Sequence, residues 1–335
     1  MTGTCRASGI GSWPGDDIGA ALTTVRDLLA DDDLPYLPEL PARGPGADLI
    51  GRGAALLVGL PVDLQPSGWR FVDRPGRDLH RARAFLRRDL DELAEAFDGY
   101  TGSLKVQAAG PWTLAASVQL NRGERAVVDE GACRDLTASL AEGLRDHLEA
   151  VARLVPNARV VIQLDEPSLP AVLAGRLPTA SGYGRLRAVD PSVAADGLRT
   201  ALEAVRDRAD QTVIHCCDRA VPLPLLRSTG ADAIALDATA LDARGWESVA
   251  ATVESGTDVW LGTVATDGAS QPTVREVVER TSRSWHDVGM PATQLGGLTV
   301  TPACGLASAA TDGAARIQRL VRDVARALAE TAAGA

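Results

Sequence analysis

Cys5-Arg6-Ala7-Ser8-Gly9-Ile10-Gly11-Ser12-Trp13-Pro14 is the stretch that decides the fold. Its first half, Cys5 to Ile10, has the length and small or apolar content of a buried strand. An open, doubly wound nucleotide-binding sheet would follow that strand with a Gly-rich phosphate turn opening a helix. Here Gly9-Ile10-Gly11-Ser12 runs into Trp13-Pro14, so the turn is missing and a closed barrel is favoured over the open sheet.

Outward from this junction, short apolar or β-branched runs alternate with longer helical patterns, the signature of β/α units around a parallel sheet. The further strand candidates are Leu34 to Pro38, Leu104 to Ala109, Val160 to Leu164, Thr212 to Cys217, Ala233 to Leu236, Val259 to Val264 and Gly297 to Thr301. With the first they make the complement of a (β/α)8 TIM-type barrel. Helices are expected over Ile18 to Leu29, Arg81 to Phe97, Arg134 to Leu154, Val193 to Arg208 and Thr311 to Ala329, each with apolar residues at three- and four-residue spacing. Pro41 to Pro75, rich in Gly and Pro, reads as a loop-dominated excursion with a short helix near Ala47 to Val58, placed to act as a lid. No linker or repeat divides the chain, so residues 1–335 are expected to form one α/β domain with a small-residue tail fraying at 331–335.

A formal net charge of −10 argues against phosphate-backbone binding, which needs a clustered basic surface. The basic residues are almost all arginine, Lys105 being an exception, a pattern read as compositional bias. Without an apolar stretch of membrane-spanning length or a signal-like N-terminus, the expected location is the cytoplasm. Cys5, Cys133, Cys216, Cys217 and Cys304 form an odd, scattered set, which favours metal or thiol chemistry over disulfides.

His215-Cys216-Cys217 ends a strand candidate. Alternate residues on a strand face one way, so His215 and Cys217 can share a metal while Cys216 faces the other side as a small hydrophobe. Alone, such a pair more often fills a core than binds a metal. Cys304, directly after the eighth strand candidate, and Asp237, closing the sixth, lie on the same barrel face. One imidazole, two thiolates and one carboxylate suit zinc. The carboxylate is the most exchangeable of them, and an incoming thiol taking its place would lose its proton near neutral pH and become a nucleophile.

Landmarks in order along the chain are Ile10-Gly11-Ser12 with Pro14, Glu39 with Asp48-Leu49-Ile50, Gly110-Pro111-Trp112-Thr113, Gln163-Leu164-Asp165-Glu166-Pro167, His215-x-Cys217 and Pro302-x-Cys304-Gly305-Leu306. By these the chain resembles the catalytic half of cobalamin-independent methionine synthase over nearly its whole length. The resemblance implies zinc held by His215, Cys217 and Cys304, with Asp237 where the family carries a glutamate ligand; the shorter side chain makes Asp237 a direct ligand only with a backbone shift. It implies homocysteine as substrate, held by the Ile10 and Ser12 backbone and by Glu39 and Asp165. Two buried carboxylates at strand ends would call for a cationic ligand or an arginine neighbour. Trp112 can stack on a methyl donor or pack in the core. His80, His147 and His286 sit in helical patterns and receive no catalytic role.

Family members use a histidine after the seventh strand to help protonate the folate leaving nitrogen. The matching stretch here is Gly262-Thr263-Val264-Ala265-Thr266-Asp267-Gly268, with Asp267 nearest that place. An ionised aspartate is a poor general acid at neutral pH. A methyl-corrinoid donor, methylcobalamin or a corrinoid protein, needs no such proton and is the expected partner. Two further readings stay open: transfer to another small thiol such as coenzyme M, and a non-catalytic zinc- or corrinoid-binding homologue.

Overall fold

The computed structural model describes residues 5–266 and 272–335. The apolar runs pair side by side and in parallel, because the helices between them return the chain to the same end of the sheet each time. In chain order the strands are β1 (Arg6–Ala7), β2 (Val62–Gln65), β3 (Gly68–Phe71), β4 (Ser103–Ala109), β5 (Arg159–Asp165), β6 (Gln211–Cys216), β7 (Ala233–Asp237), β8 (Asp258–Val264) and β9 (Thr299–Pro302). Seven form a parallel sheet in the order β1-β9-β8-β7-β6-β5-β4, and β2 and β3 pair separately as an antiparallel hairpin.

The expected strand at Leu34 to Pro38 is not a ladder strand. The chain there is extended and makes isolated parallel bridges to both edges of the sheet, Ser8 with Leu34 and Tyr36 with Lys105. Leu34 N donates to Ala7 O, and Lys105 N to Pro35 O. Pro35 and Pro38 have no N–H, which breaks the ladder. Leu34 still packs on the inner face of the sheet with Val161, Val213, Ala233, Ala235 and Trp260.

Aspartates set the start of two of the helices. Asp17 caps Ile18–Leu29 by accepting from Ala20 N, and Asp129 caps Glu130–Leu154 by accepting from Ala132 N, so the latter helix starts four residues before the expected Arg134. Pro191–Glu203 is shorter than expected at its C-terminal end, and Arg77–Ala96 starts earlier than Arg81. The last helix, Thr311–Ala333, runs through most of the tail expected to fray. Among the described residues no helix is long and apolar enough to cross a membrane.

Within the Gly- and Pro-rich excursion the short helix is Leu49–Leu56, capped by Asp48, which accepts from Gly51 N. The β2–β3 hairpin there was not expected from the sequence: its turn, Pro66-Ser67, lacks the Asn-Gly or Asp-Gly signal of two-residue hairpin loops.

Candidate metal centre

Strand register sets the site. Ala109 lies opposite Asp165, and Asp165 opposite His215. With alternation, Lys105 and Gln107 on β4, Gln163 and Asp165 on β5, and His215 on β6 all face the sheet interior. The imidazole of His215 and the sulfurs of Cys217 and Cys304 offer ligand atoms that all lie within 4.8 Å of one another. The two sulfurs are 3.1 Å apart and belong to free cysteines. Their shared hydrogen bond pulls Cys304 down to about 6, against burial, and pushes Cys217 up. Cys216 points away and is fully buried.

His215 Nδ1 lies 2.7 Å from Asp165 Oδ1. An ionised carboxylate can only accept, so Nδ1 carries the proton and Nε2 presents its lone pair. That Nε2 is buried without a hydrogen-bond partner among the described residues. A bare, buried acceptor nitrogen beside two thiols fits a zinc ion: nitrogen and sulfur donors suit its softness, and three protein ligands leave a tetrahedral position open.

Asp237 does not join this group. Its Oδ1 accepts from Thr239 N at 2.8 Å and Thr239 Oγ1 at 2.6 Å, capping the one-turn helix Ala238–Ala240. An aspartate ending a strand readily turns back onto donors two residues on, and here a backbone N–H and a hydroxyl are both in reach. Asp237 is not among the residues whose ligand atoms gather with those of His215, Cys217 and Cys304.

Trp112 also sits elsewhere than beside the cluster. Its indole N–H donates to Ala194 O at 2.8 Å and its ring packs against Gly197, on the helix Pro191–Glu203. A buried indole needs such a partner, and here the need is met by packing between helices. Asp267 lies outside the described residues.

Glu39 is buried rather than on the surface, and its partner is an arginine. Arg52 Nε stands 3.1 Å from Glu39 Oε1, and Arg52 also pairs with Asp89, which accepts from Arg43 at 2.7 and 2.8 Å. The Arg52–Glu39 contact is close enough for charge pairing but lacks hydrogen-bond alignment, and Glu39 Oε1 has no hydrogen-bonded donor. Burial pushes the Glu39 carboxyl up, against Arg52. Ser12 pairs with Glu39 across an isolated bridge, Glu39 N donating to Gly11 O and Trp13 N to Glu39 O. The Ile10 carbonyl accepts from Lys105 Nζ at 2.7 Å and Gln163 Nε2 at 2.9 Å.

Three residues around the site went unread in the sequence. Glu166 accepts from Trp112 N, Thr113 N and Thr113 Oγ1 at 2.7 to 2.9 Å, and burial lifts it to about 7 against those donors. A Cβ on Gly110 would stand 2.3 Å from Glu166 Oε1, which accounts for the glycine in Gly110-Pro111. Arg52 and Lys105 are the others. Alternation with Gln107 puts Lys105 on the inner face, and a buried Glu39 calls for an arginine, but neither signal names the partner.

A family model described as the catalytic domain of cobalamin-independent synthase matches residues 5–327. No curated protein matches the chain. Among solved structures, a B12-independent methionine synthase from Shewanella sp. W3-18-1 in complex with selenomethionine aligns at TM-score 0.64 and 12% identity, covering 99% of this chain and 100% of that one. At that identity the likeness speaks for the fold. A GH5_18 protein from Streptomyces cattleya in complex with GlcNAc aligns at TM-score 0.48 and 16% identity, covering 98% and 80%. With the match running over nearly the whole chain, the protein belongs to the family of cobalamin-independent synthase catalytic domains.

Proposed function

We propose that this protein is a zinc-dependent thiol methyltransferase whose acceptor is homocysteine and whose product is methionine. The observation that carries it is the convergence of His215, Cys217 and Cys304, with His215 Nε2 bare and its other nitrogen held by Asp165. Those three side chains would hold the metal. Held there, zinc would supply Lewis acidity that lowers an acceptor thiol from its ordinary pKa of about 8.5.

Asp165 keeps the His215 ring in one tautomer and orientation. Asp237, turned into its own loop, leaves the remaining position free for the acceptor. Glu39 offers a buried carboxylate oxygen without a hydrogen-bonded donor, suited to an ammonium group. A sulfonate acceptor such as coenzyme M would want an uncommitted arginine, whereas Arg52 is already shared by Glu39 and Asp89. In the transfer the acceptor sulfur attacks the methyl carbon, the new C–S bond forming as the donor departs with the electron pair.

The corrinoid donor expected from the missing histidine gains no support from a family described as cobalamin-independent. We read the sheet as a closed (β/α)8 barrel of a single domain, supported by the bridges that the Leu34 to Glu39 segment makes to both β1 and β4.

Metal analysis followed by a matrix of donors (methyltetrahydrofolate, methylcobalamin, a methyl-corrinoid protein) and acceptors tests the proposal on wild type and Cys304→Ala. Wild type should hold one zinc per chain and methylate homocysteine, and Cys304→Ala should lose both properties. Retention of both by the variant would remove Cys304 from the mechanism, and binding of zinc without any methyl transfer would favour the non-catalytic reading.

A further inference from the structure

Lys105 is the only lysine of the chain, and it is 0% exposed. Its Nζ donates to Ile10 O at 2.7 Å and to Gln107 Oε1 at 3.1 Å, and stands 5.3 Å from the centroid of the Tyr36 ring. The carboxylates whose charge it feels, Asp165 and Glu39, are paired with His215 and Arg52 instead. Burial pushes the Lys105 ammonium down to about 7, with Asp165 and Glu39 opposing. A buried ammonium served only by neutral acceptors costs stability, and an apolar side chain of the same length would fill the space without that penalty.

What the lysine holds is a branching point. The Ile10 carbonyl that it binds also accepts from Gln163 Nε2, which donates in turn to Asp165 Oδ1 at 2.7 Å, the same oxygen that fixes His215 Nδ1. Two residues along the chain, Ser12 O accepts from Leu306 N at 2.8 Å, beside Cys304. Gly305 is packed so tightly there that an added Cβ would lie 2.0 Å from Ser12 Oγ. One carbonyl thus joins the supports of two of the three clustered side chains. We propose that Lys105 is a positioning residue for the metal centre, pinning the Ile10 carbonyl and through it both the Asp165–His215 pair and the loop that carries Cys304. The inference rests on the metal-centre reading above.

The test compares wild type with Lys105→Met, measuring zinc affinity by competition with a chromophoric chelator and urea unfolding of the metal-free chains. Zinc affinity should fall roughly 10-fold, as for other partners that orient a ligand from behind, while the metal-free variant is as stable as wild type or more so. Gln163→Met should weaken zinc similarly, and the double variant should fall short of the sum because both act through Ile10. Unchanged zinc affinity in Lys105→Met would overturn the proposal, as would failure of that variant to fold, which would make the lysine a structural residue. If wild type itself bound no zinc, the metal-centre reading would fail first and this inference with it.

Discussion

Asp165 Oδ1 and His215 Nδ1 stand 2.7 Å apart in the interior of the sheet, and that contact decides which imidazole nitrogen is left bare. Asp165→Asn keeps the shape of the side chain but presents an amide that is free to rotate and donate. The expected result is a loss of zinc affinity of about 10- to 100-fold with the fold intact. Chelator competition checks it. An affinity equal to wild type would mean that the carboxylate does not orient the ring.

Asp237 separates two accounts of the shell. Its carboxylate serves Thr239, so Asp237→Ala should leave zinc stoichiometry unchanged and cost about 1 kcal/mol of stability through the lost cap. Metal analysis beside thermal unfolding gives both numbers. Loss of bound zinc in this variant would restore the aspartate to the shell.

The buried chain Arg43–Asp89–Arg52–Glu39 predicts strong coupling. Arg52→Met strips the positive partner from Glu39 and should destabilise the protein by roughly 3–5 kcal/mol. Adding Glu39→Gln should recover part of the loss, because the uncompensated charge is then gone. Denaturant midpoints that simply add across the two substitutions would contradict the coupling.

His147 and Glu166 should tilt stability in opposite directions with pH. Burial, helped by Arg52, pushes His147 from 6.5 down to about 4, so between those values the unfolded chain binds the proton first. The neutral, folded histidine's contribution is therefore lost as pH falls from 6.5 to 4, on the order of 3 kcal/mol over the window. Glu166 is lifted by burial from 4.5 to about 7, so its contribution is present in acid and lost as pH rises through that range. Urea midpoints from pH 4 to 7 should show wild type gaining on His147→Gln and losing ground to Glu166→Gln. Parallel profiles would show that neither group titrates abnormally.

The parts of the fold that follow from local pattern were legible in the sequence. Ile18–Leu29 is bounded as expected, because Asp17 is a clear cap and the apolar spacing is strict. β4 through β9 lie close to their apolar runs, since parallel strands buried on both faces carry little else. Leu34 to Pro38 was misread as a full strand because apolar content does not register that Pro35 and Pro38 lack donors. The His215–Cys217 pairing follows from alternation, and Cys304 from the shared C-terminal end of the parallel strands. Arg52 on Glu39 and Lys105 on Ile10 could not be read, as those contacts join residues 13 and 95 positions apart whose meeting depends on the assembled interior. Trp112 meets Ala194 across 82 positions in the same way, whereas Asp237 finds its donors only two residues on, a local turn that was not weighed against a distant ligand.

X-ray absorption at the zinc edge, on protein reconstituted with one equivalent of zinc, tests the central claim most directly. The expected spectrum contains two sulfur scatterers and one imidazole, with a third sulfur on addition of homocysteine. A shell of oxygen and nitrogen alone, in either state, would contradict the assignment of His215, Cys217 and Cys304.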